Sequence, residues 1–285
     1  MSARKSRRRP GEEGDAGGQG FYVYCVAGSA DVSAVFDEDL PAAIEDSNAL
    51  ETVEQGGLAA VVSAVPLADY GEQALQSRLS DVTWTAVRAM RHERVVEHFA
   101  RRASVVPLRF GTIYTRRDNV AAMLAAKRDE LLSIIERLRG REEWGLNVYS
   151  DRARLLEEVV SLSPRLRELS EQAARVSPGQ SYLMRKKIDS MREAEARAET
   201  RRVADAIERE LSEAADAASA RLRVLKDEAG EQGEVAAKLA FLVERERFDE
   251  FRAAAERLAR EYEGAGFKLE LTGPWPPYNF AAGDG

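Results

Sequence analysis

The sequence predicts an α+β fold in two domains, the second ferredoxin-like (split βαβ) with a long helix. Three observations carry this prediction. The chain has 285 residues, nearly twice the roughly 150 of one compact domain. Short β-rich runs alternate with stretches of three- and four-residue apolar spacing in both halves. The second half, written as elements, reads β-α-β-β-α-β, the order that lays one sheet against two helices.

Taken in order, residues 1–20 form a tail, basic from Arg4 to Arg9 and then rich in Gly and acids, a composition that cannot build a core. A short basic arm contacting nucleic acid or an acidic partner is the competing reading, but the cluster lacks interleaved aromatics. The first domain, 21–140, opens with Phe21-Tyr-Val-Tyr-Cys-Val-Ala27, aromatic and β-branched enough for a strand. Gly56-Gly57 then separates two extended runs, a hairpin signal, with Leu58 to Val65 the clearer strand and Pro66 its stop. Ser80-Asp81 caps a helix to about Arg102. Val105 to Tyr114 reads as another strand, and Asp118 opens an amphipathic helix that Gly140 ends.

The second domain, 141–272, begins with a strand at Glu143 to Ser150 and a mainly helical stretch ending in a long helix from Pro178 to Ala218. At roughly 40 residues that helix reaches ~60 Å, more than a small sheet can cover, so its far end must project, break or pack elsewhere. Strands at Arg221 to Asp227 and Val235 to Val243 follow, then a helix with Phe248, Phe251, Ala255, Leu258 and Tyr262 on one stripe. A last strand is Phe267-Lys-Leu-Glu-Leu271, and 273–285 is a Pro/aromatic tail.

Composition narrows the function classes. A net charge of -7 favours solubility and disfavours a general nucleic-acid surface. Cys25 is the single cysteine, so an internal disulfide is impossible and a cytoplasmic setting is expected. No apolar run reaches the roughly 20 residues that span a bilayer, so no membrane partner is expected.

Several chemistries fail on spacing. There is no Gly-x-x-x-x-Gly-Lys loop and no Gly-x-Gly-x-x-Gly turn after a strand, and one cysteine with two histidines cannot build a usual structural zinc site. His92 and His98 lie six apart, about 240° around a helix, where a zinc helix needs four. His92 shares a stripe with Ala89, Val96 and Phe99 and reads as a core histidine, while His98 sits among arginines at the surface. No cofactor and no catalytic residue is expected. Arg109 is a fixed cation inside an apolar strand, and desolvating it costs several kcal/mol unless it is paired. It is therefore expected to be buried and ion-paired, with ligand anchoring as the alternative. Trp275, Tyr278 and Phe280 lie on the stiff Leu271-Thr-Gly-Pro-Trp-Pro-Pro-Tyr-Asn-Phe280 path, either a cover for the sheet or a partner-binding strip.

Several separated strings, in consistent order, carry a family resemblance. They are Tyr22-Val-Tyr24, Leu58-Ala-Ala-Val-Val-Ser63 before Val65-Pro66, His92-Glu93, and Val106-Pro-Leu-Arg-Phe-Gly-Thr-Ile113. Gly140-Arg-Glu-Glu-Trp-Gly145 and Leu271-Thr-Gly-Pro-Trp-Pro-Pro-Tyr278 complete the set. On these the chain resembles gas-vesicle accessory proteins of the F/L type, from Phe21 to Phe280, without a distinction between F and L. The resemblance implies a non-catalytic assembly factor that associates with gas vesicles and binds the small hydrophobic shell subunit and other accessory proteins. The alternatives are a minor structural component retained in the vesicle, or a soluble enzyme or ligand sensor on a ferredoxin-like scaffold, which a deep pocket with convergent polar groups around Arg109 would favour.

Overall fold

The structure, a computed structural model, describes residues 18–215, 218–222, 229–230 and 233–281. Most of the expected tail, 1–17, and the end of the expected strand 221–227 lie outside the described residues. The chain divides into two mixed helix-and-sheet units, Met1–Glu136 and Arg137–Gly285, four residues before the boundary expected at 140.

In the first unit the central strand is β1 (Gln19–Gly28), which starts two residues earlier than expected because Gly18 already accepts a hydrogen bond from the Leu67 amide. Helix α1 (Ser29–Phe36), not foreseen in the sequence, leads to the hairpin β2 (Leu50–Gln55) and β3 (Leu58–Pro66). Gly56 and Gly57 between them have φ of +62° and +84°, the left-handed pair that a two-residue hairpin turn needs. Short helices α2 (Leu67–Tyr70) and α3 (Glu72–Arg78) precede α4 (Val82–Ala100). The Asp81 side chain caps α4 by accepting from the Trp84 amide, satisfying an otherwise orphaned donor.

The run Val105–Tyr114 is not one strand. It forms two pieces, β4 (Val106–Pro107) and β5 (Ile113–Tyr114), both antiparallel to β1. Residues 108–112 leave the sheet between them, and Gly111 at φ +85° takes a left-handed conformation that turns the chain and favours glycine. The sheet runs β2-β3-β1-β4, with β5 also on β1. Next come α5 (Arg117–Ala126), packed on β2 and β3, and α6 (Arg128–Leu138). The single helix expected there is interrupted at Lys127.

The second unit begins with β6 (Arg141–Ser150) and the helices α7 (Arg152–Leu162), α8 (Pro164–Ala173) and α9 (Pro178–Ala215). Then come β7 (Ala218–Leu222), β8 (Ala229–Gly230), β9 (Gly233–Glu244), a 3-10 turn, α10 (Phe248–Glu263) and β10 (Phe267–Trp275). Its sheet is antiparallel in the order β10-β6-β9-β7, with β8 on β9. Leu146, Val148, Leu239 and Phe241 face Leu155, Ile207, Phe251 and Leu258 in one apolar core. Helix α9 enters this core between Ile188 and Leu211, while its first turns carry the exposed Tyr182 and Leu183. Strand β10 does not stop at the proline. It runs through the cis Gly273-Pro274 bond to Trp275, opposite Glu143. β10 is an edge strand of this sheet, so the amide that proline lacks is not needed for the ladder.

Candidate docking surface

The string Val106 to Ile113 owes its shape to the core beneath it. The Leu108 amide donates to the Tyr24 carbonyl (2.8 Å) and the Val23 amide to the Thr112 carbonyl (2.9 Å), closing the loop at both ends. Inside, the Tyr22 hydroxyl accepts from the Gly111 amide (3.1 Å) and lies 2.9 Å from His92 Nδ1. His92 is buried, stacks on Tyr24 and meets Phe110 edge-on. Burial lowers its pKa to about 4, outweighing a hydrogen bond with the Leu108 backbone that acts the other way. A neutral imidazole has one donor and one acceptor nitrogen. The Leu108 carbonyl can only accept, so the ring donates there and takes the Tyr22 proton at Nδ1. The strings Tyr22-Val-Tyr24, His92-Glu93 and Val106 to Ile113 are therefore parts of one assembly.

Arg109 corrects the sequence expectation. It is exposed at the tip of this loop, with no side-chain partner among the described residues, and is neither buried nor ion-paired. The reason is the excursion of 108–112: once the chain leaves the sheet, alternation no longer assigns residues to an inner face. The Arg109 carbonyl instead accepts from the Thr112 amide and hydroxyl, tightening the turn. Its guanidinium thus stands exposed on a loop tip. His98, read as a surface residue, is half-buried against Phe99.

At the other end of the chain, Gly140 to Gly145 and Leu271 to Tyr278 fit each other. Gly145 opposes Thr272, and a Cβ on Gly145 would stand 2.7 Å from Thr272 Oγ1. Trp144 stacks on Phe248 at 4.1 Å. Glu143, 3% exposed, accepts from the Asn279 amide (3.0 Å) and side-chain Nδ2 (2.5 Å), and Arg137 donates to the Phe280 carbonyl (2.7 Å). Burial pushes the Glu143 carboxyl up to about 7, against the lowering effect of its bonds to Asn279. Tyr278 and Phe280 are half-buried in this fold-back, whereas Trp275 remains 54% exposed with Nε1 donating to Thr272 Oγ1 (3.1 Å). The three aromatics therefore do not form one open strip. Glu143 was missed in the sequence, although alternation with Trp144 puts it on the sheet face opposite the helices.

Besides Val176 and Trp275, the large apolar side chains exposed among the described residues fall in two groups. On α9 they are Tyr182 and Leu183. In the first unit they are Leu79, Val82 (79%), Val87 and Met90 (57%). Helix α4 buries His92, Val95, Val96 and Phe99 on the sheet, so Val82, Ala86 and Met90 project from its opposite face. The same periodicity that found the His92 stripe would have revealed this second one.

No group of three His, Cys, Asp or Glu among the described residues could hold a metal ion. A cleft of about 260 Å³ in the second unit has Arg152, Glu193, Arg197 and Arg201 on its rim. Glu193 already pairs with both Arg152 and Arg197. Among the described residues no helix is long and apolar enough to cross a membrane.

Comparison with known proteins places these features in a family. The family model described as gas vesicle synthesis protein GvpL/GvpF matches residues 20–282. Gas vesicle protein L of Streptomyces sp. (strain CB03234) is 30% identical over 80% of this chain and 82% of its own length. Gas vesicle protein F of the same strain is 29% identical over 91% and 98%. The crystal structure of GvpF from Anabaena sp. PCC7120 shares the fold, with a TM-score of 0.65 at 18% identity over 93% of this chain and 96% of that one. GvpF from Microcystis aeruginosa aligns with a TM-score of 0.57 at 16% identity, over 92% and 99%. With a match that runs across both units and through every string described above, the chain belongs to the GvpL/GvpF family of gas vesicle synthesis proteins.

Proposed function

We propose that this protein is a non-catalytic accessory factor of gas vesicle assembly, working in the cytoplasm and at the vesicle, that binds the hydrophobic shell subunit and other accessory proteins. The observation that carries the reading is the family match over residues 20–282, which leaves no separate domain within that span to house another activity. The physical demand is plain: an amphipathic shell subunit exposes apolar surface and strand edges before it polymerises, and these aggregate unless covered. Apolar side chains exposed in both units supply surface of the right chemistry. Of the aromatics at the C-terminus, Trp275 is the one with open surface to offer a partner. Tyr278 and Phe280 hold the fold-back in place. The order β10-β6-β9-β7 supports reading the second unit as a split βαβ arrangement whose first crossover holds three helices.

Co-purification of the chain with the shell subunit tests the proposal. Binding that comes from apolar burial should survive EDTA, need no nucleotide, and weaken only modestly with salt. A complex that forms only with metal or nucleotide, or no complex at all, contradicts it.

A further inference from the structure

Within the first unit, the cations divide sharply. Arg78, Arg88, Arg91, Arg101, Arg102, Arg116, Arg117, Lys127 and Arg128 each have a carboxylate partner. Arg94 and Arg109 are both exposed and have none among the described residues. Their positions relate them to the apolar stripe on α4. Val82, Ala86, Met90 and Arg94 recur at four-residue steps, so they form one continuous ridge along the exposed face, apolar for its first three members and cationic at the fourth. From Val82 to Met90 the ridge is about 12 Å long, or two turns of a partner helix. Leu79 extends it toward α3. There, Leu75 lies against Gly111 of the Arg109 loop, 3.4 Å from where a Cβ would stand, and its carbonyl accepts from the Leu79 amide. The loop itself is held by Tyr22 and by its own turn, so Arg109 is displayed from a fixed backbone rather than a mobile one.

We propose that the ridge Val82, Ala86, Met90 and Arg94, extended by Leu79 and flanked by Arg109, is where this chain receives an amphipathic, carboxylate-bearing helix of the gas vesicle shell subunit. The inference rests on the function proposed above and adds the surface and the chemistry of its occupant. A helix fits because the exposed side chains follow helical spacing, and ridges of one helix seat in the grooves of another. An acidic flank on that helix fits because two guanidinium groups lack partners where every other described cation of the unit has one, and guanidinium binds carboxylate in a matched fork. The apolar residues supply affinity, and the two arginines set orientation and discriminate against a cationic partner.

The test uses the full chain and the shell subunit in a quantitative pull-down, with four variants at surface positions whose melting is checked against wild type. Val82→Gln/Met90→Gln should weaken binding at least tenfold. Arg94→Gln and Arg109→Gln should each weaken it severalfold at low salt, with the difference from wild type shrinking at high salt as the charges are screened. Tyr182→Ser/Leu183→Ser, on the competing apolar surface of α9, should bind as wild type does. Wild-type affinity in Val82→Gln/Met90→Gln, or a loss that follows Tyr182→Ser/Leu183→Ser instead, overturns the surface while leaving the proposed function intact. A wild-type chain that does not hold the subunit overturns the proposed function, and this inference with it.

Discussion

His92 and Glu143 are buried titratable groups pushed in opposite directions, and each organises one end of the chain. The sequence revealed His92 because its apolar stripe is readable at helical spacing. It misjudged Arg109 because alternation was carried through a loop, and it passed over Glu143 because its partner, Asn279, is distant in sequence. Their titration has opposite consequences. His92 falls from 6.5 to about 4 on folding, so the unfolded chain binds the extra proton between those values. The stability it confers is complete above pH 6.5 and lost as pH falls through 4. Glu143 rises from 4.5 to about 7, so the folded chain binds the extra proton, and stability declines as pH rises from 4.5 through 7. In denaturant titrations, the destabilisation by His92→Gln should therefore shrink between pH 7 and pH 4. Glu143→Gln should gain on wild type between pH 5 and pH 8. A pH-independent difference in either variant would contradict the burial described for that residue.

Among the elements, the strands of both sheets were legible wherever apolar alternation met a stop signal, as in Leu58 to Pro66 and Glu143 to Ser150. Helix α4 was legible from its Asp81 cap. Elements were lost where local pattern and tertiary context disagree. Gly111 breaks what the alternation of 105–114 would continue, because its left-handed backbone turns the chain out of the sheet. Pro274 fails to end β10 because an edge strand tolerates a missing donor. Helix α1 has few periodic residues and only Val32 and Val35 to bury, too short a signal to be read. The join between Gly145 and Thr272 shows how two distant strings can be one structural feature. Gly145→Ala places a methyl 2.7 Å from Thr272 Oγ1 on the neighbouring strand, an overpacking that should cost about 1–3 kcal/mol. Proteolysis of the C-terminal fold-back should accelerate accordingly. Adding Thr272→Ala, which removes the clashing atom, should recover part of the loss. Equal stability of Gly145→Ala and wild type would mean that the two strands are not so closely joined.

For the whole molecule, composition and spacing limited the function but did not choose it. They disfavoured phosphate-loop and zinc chemistry and a nucleic-acid surface, and the family strings then supplied the process. Within those strings Tyr22, His92, Gly111, Gly145 and Glu143 hold strand ends and loops together. They report mainly the scaffold; of the proposed docking surface they contain only Arg109, and the remainder lies in the less distinctive residues of Leu79 and α4. The central claim is that this scaffold covers the shell subunit before it polymerises. Light scattering tests it directly: the denatured shell subunit is diluted into buffer containing EDTA and no nucleotide, with and without an equimolar amount of this protein. Suppressed scattering, with both proteins recovered in one soluble species, is the predicted result. Scattering that rises equally in both samples, with this protein left free in solution, would contradict the account.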